Sequence, residues 1–108
     1  MEIYSLLKMG LDASVLRGET ISQNIANVNT PGYKSKYVTF EETLKENSKV
    51  EPKISVEESK GSAIRSDGNN VDLEVEKINQ ASNSLQYNAL ITLMNAKLSM
   101  TKSVIKGQ

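Results

Sequence analysis

Apolar residues recur in alternating steps of three and four at both ends of the chain, and the middle lacks that rhythm. In the first stretch Tyr4, Leu7, Leu11, Ser14, Gly18, Ile21, Ile25 and Val28 form one stripe. Its 3.5-residue period keeps a helix face against a partner helix, so a helix is predicted from about Ile3 to about Val28. At ~1.5 Å per residue it spans roughly 38 Å. Gly18 breaks the stripe and weakens a helix interior by about 1 kcal/mol relative to Ala. Close approach of a neighbouring helix at Ser14 and Gly18 is the expected compensation.

The second stretch predicts a longer helix, from about Leu73 to about Ile105, on the order of 50 Å. One seam runs Tyr87, Ile91, Met94, Leu98, Thr101, Ile105, and an adjacent one runs Leu90, Leu93, Lys97, Met100, Val104. Leu85, Ala89 and Ala96 add a third edge. A helix apolar around so much of its circumference requires cover from several sides. The first helix supplies one side only, so the remainder is expected to meet other molecules. Leu7, Leu11, Ile21 and Ile25 are assigned to the intramolecular pair and Leu90, Leu93, Met100 and Val104 to neighbours, two assignments that the sequence leaves exchangeable. Val28, Leu85, Ile91, Met94, Leu98 and Ile105 complete the interface set.

Between the helices the punctuation is strong. Thr30 is pushed out of the α region by Pro31, and Gly32 can take the positive φ of a type II turn. Asn24, Asn27 and Asn29 suit a helix end, where their amides can satisfy open carbonyls. Thr39-Phe40-Glu41-Glu42 has the form of a capping box, which predicts a short helix near residues 40–47. Residues 48–66 are polar around Val50, Ile54 and Val56, with Pro52 suited to an edge, and read as a loop or weak hairpin. Asp67-Gly68-Asn69-Asn70 is a turn cluster, and Asp72 is the expected N-cap of the second helix, with Glu74 and Glu76 in its first turns. The reading is a mainly α chain forming one structural domain. Its segments are 1–33 for the first helix and turn, 34–71 for an irregular or β middle, and 72–108 for the second helix.

Composition narrows the chemistry. The chain has 108 residues, 13 basic and 13 acidic, with no cysteine and no histidine. Thiol nucleophiles, disulfides, histidine proton shuttles and ordinary zinc sites are therefore excluded. Zero net charge and few aromatics give no support to nucleic-acid binding. Asp67-x-Asn69 starts like a calcium loop, but Val71, Asp72 and Ile78 stand where an oxygen ligand, a glycine and a glutamate are needed. No catalytic, cofactor or metal residue is assigned, and no small-molecule substrate is expected. No apolar run reaches the ~20 residues of a membrane span. The N-terminus, with Glu2, Lys8, Asp12 and Arg17, has no apolar signal-peptide core.

Asn24-Ile25-Ala26-Asn27-Val28-Asn29-Thr30-Pro31-Gly32-Tyr33 resembles the N-terminal signature of the bacterial flagellar rod, hook and hook-associated proteins. Asp67-Gly68-Asn69-Asn70-Val71-Asp72-Leu73-Glu74 and Ser84-Leu85-Gln86-Tyr87-Asn88-Ala89-Leu90 are similar to the C-terminal half of the basal-body rod proteins within that group. The chain's last residues are similar too; Ser22-Gln23 departs slightly from the usual pair, and the middle is short and unmatched. The resemblance implies a structural subunit whose terminal helices pair and stack into a torque-transmitting tube. It implies self-association, contact with other rod and basal-body proteins, and passage through the flagellar type III export apparatus without a cleaved signal. It places the chain in the rod, outside the cytoplasm, whereas composition alone suggests a cytoplasmic soluble protein. The competing readings are another self-assembling or adaptor component of a type III secretion apparatus, a small enzyme, or a nucleic-acid binder.

Overall fold

The computed structural model describes residues 3–44, 50–61 and 65–107, with side chains described outside 41–44 and 50–52. Four elements follow in order: α1 (Ile3–Ala26), β1 (Lys36–Leu44), β2 (Val50–Glu58) and α2 (Leu73–Ile105). The molecule is long and flat, 64 × 35 × 14 Å. The helices are antiparallel neighbours: Tyr4 meets Lys97 and Thr101, Gly10 meets Leu90, and Ser14 meets Asn83. The two strands form an antiparallel hairpin whose first strand packs on α1. Among the described residues no helix is long and apolar enough to cross a membrane.

Both helix ends of α2 are set by local chemistry. Asp72 is extended at φ −106°, and its carboxylate accepts from the amides of Glu74 (3.1 Å) and Val75 (3.4 Å). That satisfies two of the donors a helix start leaves open. At the other end Gly107 takes φ +70°, and its amide returns to Val104 O at 3.1 Å. A left-handed residue closing the last carbonyls in this way is a favourable C-terminal stop. α1 ends at Ala26 rather than Val28, because its bonds tighten there: Val28 N donates to Ile25 O and Thr30 N to Asn27 O, three residues back.

The middle corrects one expectation. The short helix near 40–47 is absent: residues 40–44 continue β1, and 45–47 lie outside the described residues. Thr39 does not cap Glu42. Its hydroxyl sits 2.7 Å from that of Ser55, its cross-strand partner. The reason is non-local. Val38 and Phe40 pair with Val56 and Ile54, placing four apolar residues on one face of the hairpin. A capping box contributes on the order of 1 kcal/mol, less than a nine-residue ladder with a half-buried face. Only Val38 of that face is fully covered, since α1 is narrower than the sheet.

The core is thin and unusually polar. Among the described residues the buried apolar ones are Leu7, Ala13, Ile21, Val38 and Val71. The most deeply buried side chains of all the described residues are Asn24, Asn69 and Ser14. Hydrogen bonding inside the molecule therefore carries much of its specificity.

Candidate functional site

The two stretches singled out in the sequence meet at one end of the molecule and are stitched together through asparagines. Asn69 is fully buried. Its amide nitrogen donates to Asn27 O (2.9 Å) and Thr30 O (2.8 Å), while its oxygen accepts from Val71 N at 2.8 Å. One side chain thus ties the exit of α1 to the approach to α2. Asn24 does the same for the hairpin: it donates to Lys36 O (2.8 Å) and accepts from Lys36 N (2.9 Å) and the Tyr33 hydroxyl (3.3 Å). In effect its amide imitates a strand residue, extending the pairing of β1 onto a helix. Asn70 accepts from Ser35 N at 2.6 Å, and its own amide donates to Tyr33 O at 3.3 Å.

Two glycine turns bring these segments into register. Tyr33 N donates to Thr30 O (3.2 Å) with Gly32 at φ +74°, the turn read from Thr30-Pro31-Gly32-Tyr33. Gly68, at φ +87°, faces it: a Cβ there would lie 3.5 Å from Gly32 Cα. Gly32 N donates to Asp67 O at 2.9 Å, joining the turns directly. Arg65 clamps the outside, donating to Val28 O, to Asn29 Oδ1 (3.4 Å) and to Asp67 Oδ2 (2.7 Å). Lys34 adds a bond to Gly68 O. The Asn69 amide, followed by the Arg65 ion pair, holds the Asp67 carboxyl below its usual range. Burial, then Glu58 and Glu76, pushes the Tyr33 phenol up.

Sequence reading treated Asn24, Asn27 and Asn29 as one group satisfying helix carbonyls, and only Asn27 does so, donating to Gln23 O at 2.8 Å. Asn24 reaches the strand, and Asn29 contributes an acceptor to Arg65. The reading also missed Asn83, Lys34 and Arg65, and took Glu76 only as a first-turn charge that suits the helix dipole. Asn83 and Ser14 exchange two hydrogen bonds in the buried helix seam, Ser14 Oγ to Asn83 Oδ1 (3.1 Å) and Asn83 Nδ2 to Ser14 O (3.0 Å). Glu76, Asn83, Leu90 and Lys97 stand seven residues apart, so the heptad period held the signal, but three of the four are polar.

The expected interface residues divide. Leu7 and Ile21 are buried, and Leu11, Ile25 and Val28 are half-buried. Leu90 lies over Gly10, where an added Cβ would come within 3.4 Å of both its methyls, so it belongs to the intramolecular seam and not to the outward face. Met94 is half-buried, whereas Leu85, Ile91, Leu93, Leu98, Met100, Val104 and Ile105 are exposed. Ala26, Pro31 and Gly32 of the signature are exposed, and Val71 is buried.

Among the described residues the asparagines, Arg65 and Asp67 of the junction are turned on one another. The family described as flagella basal body rod protein matches residues 10–34, which includes most of α1 and the Pro-Gly turn. The flagellar basal body rod protein FlgB of Bacillus subtilis is 32% identical over 94% of this chain and 91% of its own. FlgB of Aeromonas hydrophila is 28% identical over 97% and 93%, and FlgB of Buchnera aphidicola subsp. Baizongia pistaciae is 28% identical over 96% and 94%. Similarity along nearly the whole length of both chains shows that this protein belongs to the FlgB family of flagellar basal body rod proteins, structural components and not enzymes.

Proposed function

We propose that this chain self-assembles through its terminal helices into the helical tube of the rod, which carries torque from the rotor towards the hook. Its partners are further copies and other rod and basal-body proteins, reached through the flagellar export apparatus without a cleaved signal, on the extracytoplasmic side. One observation carries the reading. The C-terminal half of α2 leaves Leu93 56%, Met100 63%, Val104 79% and Ile105 78% exposed, on a chain whose own core is thin. Apolar surface of that extent marks an interaction face. Helical stacking further requires heterologous contacts, one patch meeting a different patch on the next copy. An exposed apolar end opposite a polar junction provides two such unlike patches.

Leu93→Asp tests it. A charge placed in a dry contact costs roughly 3 kcal/mol or more per site. In cells lacking the native chain, the variant is expected to be exported normally and to leave basal bodies without a rod by electron microscopy. Swimming by that strain would show that this face of α2 is not the subunit interface.

A further inference from the structure

The chain's zero net charge conceals a segregation along its length. Residues 77–108 hold four lysines (77, 97, 102 and 106) and no acidic residue, while residues 41–76 hold ten acidic against five basic. The fold converts this into two ends. Lys102 and Lys106 are exposed at the far end of α2, beside Val104 and Ile105. Glu57, Glu58, Asp72 and Glu74 are exposed around the junction, at the other end of the molecule.

One acidic group at the junction is not solvated. Glu76 is 7% exposed, and among the described residues its Oε2 is buried with no hydrogen-bond partner. It lines a cleft of about 470 Å³ between α1, α2 and the hairpin, together with Ser35, Tyr37, Ser59, Asn79 and Gln86. Arg17 and Lys36 also border the cleft, but Arg17 is turned to Gln86 Oε1 at 3.3 Å, and neither forms an ion pair with Glu76 among the described residues. A buried carboxylate oxygen without a partner is costly, and native structures rarely keep one without a reason. The cleft is roomy enough for a long side chain, and its walls supply further acceptors.

We propose that the cleft receives Lys102 or Lys106 from a second copy of this chain, whose ammonium completes Glu76 as copies stack end to end. This rests on the assembly reading above and gives it a register. The basic end of one α2 meets the acidic junction of the next, and the Glu76 contact fixes the axial position while Leu93, Met100 and Val104 supply adjacent apolar area. Lysine suits the role, since its ammonium is a compact point charge on a flexible stem and its three donors can satisfy carboxylate and hydroxyl together.

The test uses the full chain expressed in flagellated cells that lack it, with basal bodies isolated and the chain per basal body measured by quantitative immunoblot. Glu76→Gln removes the charge while keeping the size of the side chain, and K102Q/K106Q changes only exposed side chains. Each is expected to lower incorporation about tenfold, the loss that ~1.4 kcal/mol of contact energy carries. K102R/K106R keeps the charge and is expected to retain incorporation. Thermal melts of the purified variants separate assembly from folding: Glu76→Gln is expected to melt at or above the native temperature while incorporating poorly. Native-like incorporation of either glutamine variant would overturn the proposal. Absence of the native chain itself from basal bodies would instead overturn the assembly reading on which it rests.

Discussion

Asn69 is the most informative single position, because one fully buried amide holds the exit of α1 to the approach to α2. Asn69→Ala removes three hydrogen bonds of 2.8–2.9 Å and leaves the Val71 amide without a partner, while Asn27 O keeps Thr30 N and Thr30 O keeps Tyr33 N. Bonds of this kind contribute about 1 kcal/mol each, and the stranded buried amide costs a further ~1–3 kcal/mol where water cannot reach it. Partial hydration of the opened site reduces the sum, so a loss of about 3–5 kcal/mol is expected. A chain of this size has a total stability on the order of 5–15 kcal/mol. The variant should therefore be close to unfolded in dilute solution. Urea titration of the purified full chain followed by far-ultraviolet circular dichroism measures the shift, and hydrogen exchange at the Val71 amide reports the junction itself. Asn69→Asp sharpens the test. It keeps the acceptor for Val71 but turns a carboxylate towards two carbonyl oxygens, which raises its folded pKa. The stability of that variant should be greatest below the unfolded carboxyl value and fall as pH rises through the raised one. A loss under about 1 kcal/mol for Asn69→Ala, within the ordinary range for a surface substitution, would refute the view that this amide organises the fold.

The other expectations follow from the same geometry. Burial, opposed by the Asn24 amide and reinforced by Asp72, raises the Glu76 carboxyl above its model-compound value of 4.5. The free chain should therefore lose stability as pH rises through that raised value, and Glu76→Gln should abolish the dependence in melts taken across pH 4–8 (about the window carboxyl shifts span). Gly68→Ala and Gly32→Ala should each cost ~1–2 kcal/mol for a left-handed residue with a side chain. An added Cβ at Gly68 meets Gly32 Cα only at ordinary contact distance, 3.5 Å, and one at Gly32 meets nothing within 4 Å, so the two urea midpoints should fall by similar amounts. Gly18→Ala should raise stability by up to about 1 kcal/mol, because its Cβ would rest at ordinary contact distance, 3.4 Å, from Asn83 Nδ2. A fall in melting temperature would show that the helices approach more closely there than that distance allows.

Much of this architecture was readable because it is local or periodic. The seams at Leu7 and Ile21 placed α1, and Asp72 marked the start of α2 because capping needs only a side chain two or three residues from the amides it serves. The turn at Thr30-Pro31-Gly32-Tyr33 was readable for the same reason. What escaped depends on residues distant in sequence. β1 became a strand because β2 lies beside it, and no local preference of Thr39-Phe40-Glu41-Glu42 contains that partner. The asparagines were recognised as a pattern, yet an amide serves equally as helix cap, strand mimic or bridge. Nothing local says that Asn24 reaches Lys36, 12 residues on, or that Asn69 reaches Asn27, 42 residues back. Asn83 was missed and Glu76 was read only as a first-turn charge, because hydrophobic periodicity discounts polar residues, although both stand on the seam.

The division between the two ends explains why a thin core suffices. Hydrophobic burial is non-directional, so a two-helix chain relying on it could slide or splay. The Ser14–Asn83 exchange and the Asn24 and Asn69 bridges accept only one register, because a shift strands every buried amide at once. Specificity is thus concentrated in the polar junction, whose asparagine bridges each chain forms by itself. Bulk stabilisation is left to the apolar half of α2, which a single chain does not complete. A fully apolar seam would bind its own partner helix more tightly, but it would also discriminate poorly among neighbours of the same period. With the internal register fixed by amides, the exposed leucines and methionines remain available to neighbouring subunits without competing for α1. The same argument accounts for Leu90 and Gly10: a large residue over a glycine fills the intramolecular seam halfway along α2, and beyond the Tyr4–Thr101 contact residues 102–107 are exposed among the described residues.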